Sequence, residues 1–523
     1  MQVSTYEITF PFSDDKHVLI NGLYGAVDIV LSEEAELITQ AKNDSSLLER
    51  LSSSRLETLI ERGHIVRNMN QEAQGMRIIS RLHTLLMSRR FVGIVLMPTY
   101  DCNLRCVYCY ERHRLSRGQE WLEHTITASV LEGIFMQVKD FKARGYSIRS
   151  CTLYGGEPLL VRNKALIRDI CERCRDNDLT IGAVTNGCEL EHFIDIIEEF
   201  KFSNLQITVD GLKEIHDSQR PFAVGGSSYD KIMNNIGLAL EHGINVSLRS
   251  NVTSKSISGI KNLMDEFKSR GFTDNSCFRY YFKAAEYDMS TVSDEDVLNE
   301  LIRIGMPTDE AIRLDSAYSF VWHGFASWMN KKAFPVLSPR YCGSMSGMYV
   351  IDPYGKIFPC WDAVGKDGEE IGFAENGRFM YNFNIAKWHT RTSDRMPECS
   401  SCPFMMLCGG GCAKAGIKSL MKANCDDFQK RFAFAAPIVI QKAMNGDYAG
   451  KKENHDENDV SKNKGESILS SSKMKSKYAD DPSCLSLSVN EFLRELNPDE
   501  RNILMTTNSE REAADILKAH KVM

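Results

Sequence analysis

Three cysteines stand close together in the stretch PTYDCNLRCVYCYE, residues 98–111, where Cys102, Cys106 and Cys109 make a Cys-x3-Cys-x2-Cys array. A [4Fe–4S] cube held wholly by protein takes four cysteines. Three thiolates in one loop therefore suit one side of such a cube and leave one iron without a protein ligand. An open position on an otherwise closed metal site is where a cofactor or substrate binds, by the logic that separates catalytic from structural zinc. The competing reading is a structural zinc knuckle that borrows a distant fourth ligand such as His113. Zinc ligands, however, usually come in pairs spaced C-x2-4-C.

A second group reads Cys342-x12-Gly355-x4-Cys360, then Cys399-x2-Cys402-x5-Cys408-x3-Cys412-x12-Cys425. A zinc ribbon would account for Cys399 and Cys402 but leave the other five cysteines of this group unexplained. The two groups hold ten of the sixteen cysteines. Cys151, Cys171, Cys174, Cys188, Cys277 and Cys484 are scattered, and free cysteine is commonly a small buried hydrophobe. Cys171 and Cys174 form a CxxC inside a helical-looking run with no second ligand pair nearby. The N-terminus lacks the basic start and apolar run of a signal peptide, so metal or redox use is expected rather than a disulfide framework, and a cytoplasmic location is the default.

The elements that must position these cysteines begin near residue 91. Strand-like runs FVGIVLM, SIRSCTLY, TIGAVTN, LQITVD, INVSLRS and SCFRYYF alternate there with amphipathic helix-like runs, the pattern of βα units and a parallel sheet. Six strands are too few for a closed eight-stranded barrel, and working residues belong at the C-terminal ends of such strands. The first run leads into the cysteine loop. The second ends in Tyr154-Gly155-Gly156-Glu157-Pro158, where glycines permit close backbone approach and a carboxylate can receive an ammonium group. The third ends in Thr185-Asn186-Gly187 and the fourth in Thr208-Val209-Asp210-Gly211, followed by His216, Asp217 and Arg220. Arg249 and Asn251 close the fifth. Taken alone, these tips also read as a strand-to-helix turn, as helix caps and as a buried Asp210–Arg220 pair that holds loops together.

Residues 1–90 open with the β-like runs YEITF, HVLI and AVDIVL and continue into three short helical patterns, which predicts a small winged-helix-like module. Beyond residue 445 the composition turns polar and charged, predicting a disordered linker over 446–485, followed by a short helical tail over 486–523. The chain has 523 residues, a 43% apolar fraction and a formal charge of −7. It is long enough for several domains. With no long basic run interleaved with aromatics and no apolar stretch of membrane-spanning length, neither nucleic acid nor membrane is an expected partner.

At the cysteine loop, with Tyr108 just before the last cysteine, the sequence resembles the radical S-adenosylmethionine (SAM) superfamily. The resemblance implies that Cys102, Cys106 and Cys109 hold the catalytic [4Fe–4S] cluster and that SAM chelates its open iron. It further implies that Gly155, Gly156 and Glu157 receive the SAM amino group, and that Tyr108, Asn186, Thr208, Asp210, Arg220 and Asn251 surround the cofactor and the substrate. The second cysteine group resembles the SPASM auxiliary-cluster domain of peptide-modifying radical SAM enzymes. That resemblance implies a four-cysteine site from Cys399, Cys402, Cys408 and Cys425, and a three-cysteine site from Cys342, Cys360 and Cys412. Gly409-Gly410-Gly411 would turn the chain between neighbouring cysteines that serve different clusters. Sulfatase-maturing relatives carry a further cysteine where this chain has Met348.

The fold so implied is a partial (β/α)6 barrel over 91–335 and a SPASM domain over 336–445, behind a leader-peptide recognition module over 1–90. The cofactors implied are three [4Fe–4S] clusters and SAM, served by a reductant such as flavodoxin or ferredoxin. The function implied is oxidative cross-linking of a ribosomally made precursor peptide that carries a leader. Its product would be a thioether formed when the inner three-cysteine cluster captures a substrate thiolate, unless Cys277 or water closes that site. Formylglycine formation of the anaerobic sulfatase type and carbon–carbon or carbon–oxygen cross-linking are the alternatives within the superfamily. That sulfatase-maturing group typically has Gln where this chain has Tyr154, and Asp where it has Trp361, with Asp362 one place later. A non-catalytic iron–sulfur carrier would need no GGEP turn and no polar strand tips.

Overall fold

The computed structural model describes residues 1–87, 92–285, 291–329, 337–375, 377–419, 421–425, 427–445, 478 and 480–520. Near the N-terminus, β1 (Gln2–Val3) pairs antiparallel with β5 (Ile65–Val66). Between them, β2 (Glu7–Ser13), β3 (Lys16–Asn21) and β4 (Val27–Leu31) form an antiparallel sheet in the order β2-β3-β4. Helices α1 (Ser32–Ala41), α2 (Ser53–Arg62) and α3 (Met69–Leu82) come next, so the strands-then-helices order matches the sequence pattern. The ends of α2 are set locally: the Ser52 hydroxyl accepts a hydrogen bond from the Arg55 N–H, and Gly63 stops the helix in a left-handed conformation.

The C-terminal tail packs on this module. The Ile29 N–H donates to the Ser483 carbonyl and the Leu485 N–H to the Val27 carbonyl, each at 2.8 Å, with Asp28 and Cys484 as antiparallel bridge partners. Helices Val489–Glu495 and Pro498–Thr506 then pack against α2 and α3 respectively, and Glu510–Ala519 comes after them. The expected linker over 446–485 lies largely outside the described residues, but its last part, 480–485, is ordered. Leu485 and Leu487 alternate with serines along the segment that leads into helix Val489–Glu495 and are buried, which favours order over solvation.

In the central sheet, β6 (Gly93–Leu96), β7 (Ser150–Leu153), β8 (Thr180–Thr185), β9 (Asn204–Thr208), β10 (Val246–Val252) and β11 (Phe278–Ala284) lie side by side, all parallel, in sequence order. These are the six runs read from the sequence. The sheet then continues across the expected boundary at residue 335. β12 (Met348–Ile351) adds a further parallel strand on the other edge of β6, with Met348 opposite Gly93. β13 (Lys356–Phe358), β14 (Gly372–Glu375) and β15 (Arg378–Tyr381) extend it antiparallel. An unpaired β6 edge would leave a row of N–H and C=O groups without partners, and the apolar run MYVI supplies them. Met348 is thereby fixed in the core.

The N-terminal module is pinned by a buried charge cluster. His64, 0% exposed, bonds Glu7 Oε2 through Nδ1 at 2.9 Å and Asp28 Oδ2 through Nε2 at 2.5 Å. Arg62 Nε meets Asp28 Oδ2 at 2.9 Å, and Arg62 Nη1 reaches the tail's Glu491 at 2.9 Å. Burial opposes a charge on His64, yet Glu7 and Asp28 together push its pKa up to about 9. A histidine pKa raised in the folded state contributes stability that is fully present below about pH 6.5 and is lost as pH rises through about 9. We expect His64→Gln to lower the melting temperature most below pH 6.5, with the deficit shrinking by about 3 kcal/mol toward pH 9. A deficit that does not change with pH, monitored by circular dichroism, would contradict this assignment.

Candidate active site

The cysteine loop comes directly after β6 and lies against the ends of the neighbouring strands. Gly156 explains why the second tip must be glycine: a Cβ there would overlap the carbonyl oxygens of Tyr100 and Asp101, and a Cβ on Gly155 would stand 2.8 Å from the Thr99 oxygen. Gly155 also holds a φ of +126°. With no side chains between them, the Gly156 N–H donates to Thr99 O at 3.2 Å and the Glu157 N–H to Asp101 O at 2.7 Å. Glu157 then ties this tip to the next. Its carboxylate accepts from the Thr185 hydroxyl (2.6 Å), the Asn186 N–H (2.6 Å) and the Leu159 N–H (2.9 Å). Burial nonetheless pushes its pKa up to about 7. Asn186 completes the link, donating from Nδ2 to Asn103 Oδ1 at 2.7 Å and lying 3.7 Å from Cys102 Sγ.

A second network joins the loop to the tips of β9 and β10. The Tyr108 hydroxyl donates to Asp210 and accepts from Arg220 Nη1 at 2.7 Å and Asn251 Nδ2 at 3.1 Å. The Asn251 backbone N–H bonds Asp210 Oδ1 at 2.9 Å, and Arg249 Nε bonds Asn251 Oδ1 at 2.9 Å. Arg220 and Asp210 are 3.9 Å apart, so Tyr108 mediates the pair that the sequence alone suggested. Tyr108, Asp210, Arg220 and Asn251 thus meet at one point. Thr208 is buried at the end of β9 outside this network.

The residues after the fourth strand act from behind. His216, 0% exposed, accepts the Asp210 N–H on Nδ1 and meets Ser228 Oγ through Nε2. Burial lowers its pKa to about 4, which keeps it neutral. Asp217 accepts the N–H groups of Ser228 and Tyr229 at the start of helix Tyr229–Glu241. Both position the site rather than face it.

None of the ten motif cysteines forms a disulfide. Burial raises Cys102 well above the usual thiol pKa, with Cys106, Glu157 and Cys109 adding to it. Burial raises Cys360 to about 12, with Cys342 and Cys412 among its charge neighbours, and Cys399 to about 12, with Cys408, Cys402 and Cys425. Cys102, Cys360 and Cys399 thus each have as charge neighbours the other cysteines of the set expected for them, of three, three and four members. Crowded, buried thiols without disulfides are costly as thiolates unless a cationic group holds them. That donor set fits iron–sulfur clusters. Among the described residues no His, Cys, Asp or Glu group closes around a single metal ion. Gly409, Gly410 and Gly411 all have positive φ (67°, 81° and 71°), the reversal needed between Cys408 and Cys412.

Some residues that build the site carried no motif. Arg391, 2% exposed, has Cys399, Cys412, Cys342 and Cys408 as charge neighbours and so stands between the two later cysteine sets. It donates to Gly411 O (3.1 Å), Gly410 O (2.8 Å) and Lys422 O (2.9 Å). Arg114 pairs with Glu111 at 2.5 Å, lies over Tyr100 and Tyr110, and donates to Val364 O just beyond Cys360. Asp101 holds Arg162. Their partners are remote in sequence, and no spacing betrays them. We expect Arg391→Met to lower the iron content of reconstituted protein by up to about eight atoms while SAM cleavage persists. Unchanged iron would show that Arg391 does not shape the later cysteine sets.

Comparison with known proteins places this geometry. Residues 96–268 match the model of the radical SAM superfamily. The chain is 25% identical over 341 residues to a cysteine-type anaerobic sulfatase-maturating enzyme of Clostridium novyi, covering 60% of this chain and 85% of that one. It is 23% identical over 374 residues to a serine-type anaerobic sulfatase-maturating enzyme of Bacteroides thetaiotaomicron, covering 65% and 87%. Its fold is similar to the solved structure of native anSMEcpe with bound AdoMet, with a TM-score of 0.53 at 20% identity, covering 68% of this chain and 99% of the other. The cysteine loop, the GGEP turn and both polar networks fall inside the matched region, and residues 96–268 are a radical SAM domain.

Proposed function

We propose that the chain is a radical SAM/SPASM maturase that oxidatively cross-links a ribosomally synthesised peptide, giving a thioether from a substrate cysteine. The carrying observation is that Cys102, Cys360 and Cys399 each have the other members of one expected set as charge neighbours, the sets numbering three, three and four cysteines, of which only Cys425 is exposed. When bound, the cluster of the first set and SAM supply a 5′-deoxyadenosyl radical, the agent that removes a hydrogen atom from a substrate carbon. The chain's part is placement. Gly155 and Gly156 bring the second strand tip against the cysteine loop, Glu157 offers a buried carboxylate beside Asn186, and Tyr108, Asp210, Arg220 and Asn251 hold the opposite wall. Cys342, Cys360 and Cys412 hold an inner auxiliary cluster, and Cys399, Cys402, Cys408 and Cys425 an outer one. Residues 1–87 bind the leader by strand addition, and a flavodoxin or ferredoxin supplies electrons in the cytoplasm. Among the described residues no helix is long and apolar enough to cross a membrane.

The relatives' names raise a second reading, formylglycine formation. Two of the positions at which this chain departs from that group are in contact: the rings of Tyr154 and Trp361 lie 5.3 Å apart, and Tyr110 stacks on Tyr154 at 6.0 Å. An aromatic wall beside Cys360, with Asp362 one place later, stands where that group has an amide and a carboxylate, which changes the shape and the hydrogen-bonding groups of that surface and favours a different substrate geometry.

Two measurements test the proposal. Changing Cys102, Cys106 and Cys109 together to Ala should remove about four irons and all SAM cleavage, whereas retained cleavage would overturn the assignment of the loop. The full enzyme should release a peptide lighter by two hydrogens, with the loss mapped to a cysteine sulfur. Undiminished cross-linking of a peptide whose cysteines are all serine would exclude the thioether.

A further inference from the structure

The sheet β2-β3-β4 has two edges, and strand addition needs one of them. The β4 edge is already filled by the chain's own tail. Ser483 and Leu485 pair with Ile29 and Val27, and the Ser486 hydroxyl takes the next place, accepting from the Val27 N–H at 2.9 Å and donating to Gly25 O at 2.7 Å. A side chain thus stands in where a full strand would offer backbone. Leu31, next in the same alternation along β4, is 59% exposed and has no backbone partner in the tail among the described residues. The pairing is therefore short, two backbone bonds on a five-residue strand.

The residues on the C-terminal side of this segment are held far more firmly. Asn490 Nδ2 donates to Ile60 O at 2.9 Å, the Ser488 hydroxyl to Arg62 O at 2.8 Å, and Glu491 pairs with Arg62. Phe492, Leu504, Ala513 and Leu517 are fully buried. A weakly paired strand joined to a firmly docked anchor is an intramolecular ligand, present at an effective concentration in the millimolar range.

We propose that the β4 edge is a peptide-binding edge that the chain occupies with its own residues 483–487, a tethered competitor for an extended peptide bearing apolar side chains at alternate positions. Leu485 and Leu487 show what the edge accepts: apolar residues two positions apart, both buried, with Ser486 between them. A peptide that runs the length of β4 and also pairs at Leu31 makes more backbone bonds than the tail does, and so exchanges with residues 483–487 while the helices from Val489 onward stay docked. The tail lowers the peptide's apparent affinity by the fraction of molecules in which the edge is open. This rests on the reading of residues 1–87 as a peptide-binding module.

The test uses the full chain and a fluorescein-labelled synthetic peptide of residues 480–491, DDPSCLSLSVNE, kept reduced. Leu485→Pro removes the N–H that bonds Val27. We expect this variant to bind the probe at least tenfold more tightly than the unaltered chain, read by fluorescence anisotropy. The Ile29 amide should exchange faster in the variant and slow again when the probe is added. Leu487→Asp, which places a charge in the buried part of the segment, should behave in the same way and guards against a local effect of proline. Equal affinity in altered and unaltered chains, no binding to either variant, or an Ile29 amide that stays protected in the variants would overturn the inference. SAM cleavage is measured on the same samples. Normal cleavage together with failed probe binding discards the tethered strand and leaves the enzyme assignment standing.

Discussion

The candidate site depends on the backbone contact between the tip of β7 and the cysteine loop. Gly156 lies so near the Tyr100 and Asp101 carbonyls that no side chain fits, and two hydrogen bonds from residues 156 and 157 close the contact. Every other feature of the site is registered against it. Glu157 carries the link to Thr185 and Asn186 on the third tip, and Asn186 returns it to Asn103 and Cys102. From the other side Tyr108 fastens the loop to β9 and β10 through Asp210, Arg220 and Asn251. Three thiols on a loop would otherwise sample many arrangements. Here both flanks of the loop are bolted to rigid strand ends, which is how a scaffold holds a site on its loops.

The electrostatics share the same division. Acidic and thiol groups around the loop are driven toward their neutral forms by burial, Glu157 to about 7 and Cys109 to about 12. Arg220 and Arg391 supply fixed positive charge beside the cysteines, the former among Cys106, Tyr108 and Asp210, the latter between the two later sets. A buried arginine without complete pairing is expensive unless an anionic group completes its environment. Arg220 Nε and Arg391 Nε have no partner among the described residues.

Much of this was legible in the sequence, for identifiable reasons. The six parallel strands are apolar runs separated by amphipathic helices, and each ends in polar residues whose chemistry is visible before any fold is known. β12 escaped because MYVI is four residues long and sits between cysteines that drew a domain boundary around themselves. The tail strand escaped because PSCLSLS is short and comes after a polar tract, while its partner, β4, lies at the other end of the chain. Composition cannot report that pairing. His216 and Asp217 hydrogen-bond behind the strand tip, His216 to the Asp210 N–H and the Ser228 hydroxyl and Asp217 to the N–H groups of Ser228 and Tyr229, partners that their spacing does not reveal. Arg391 and Arg114 were silent because an arginine's meaning lies in remote carbonyls and thiols, not in its spacing.

The central claim is that ten cysteines divide into one three-cysteine site that admits SAM and two auxiliary sites. Mössbauer spectroscopy of anaerobically reconstituted protein, recorded with and without SAM, tests it most directly. The account predicts about twelve irons per chain in three cubes, with SAM altering the signal of about one iron, the one that Cys102, Cys106 and Cys109 leave without a protein ligand. Bound zinc in place of iron, or a spectrum indifferent to SAM, would contradict it.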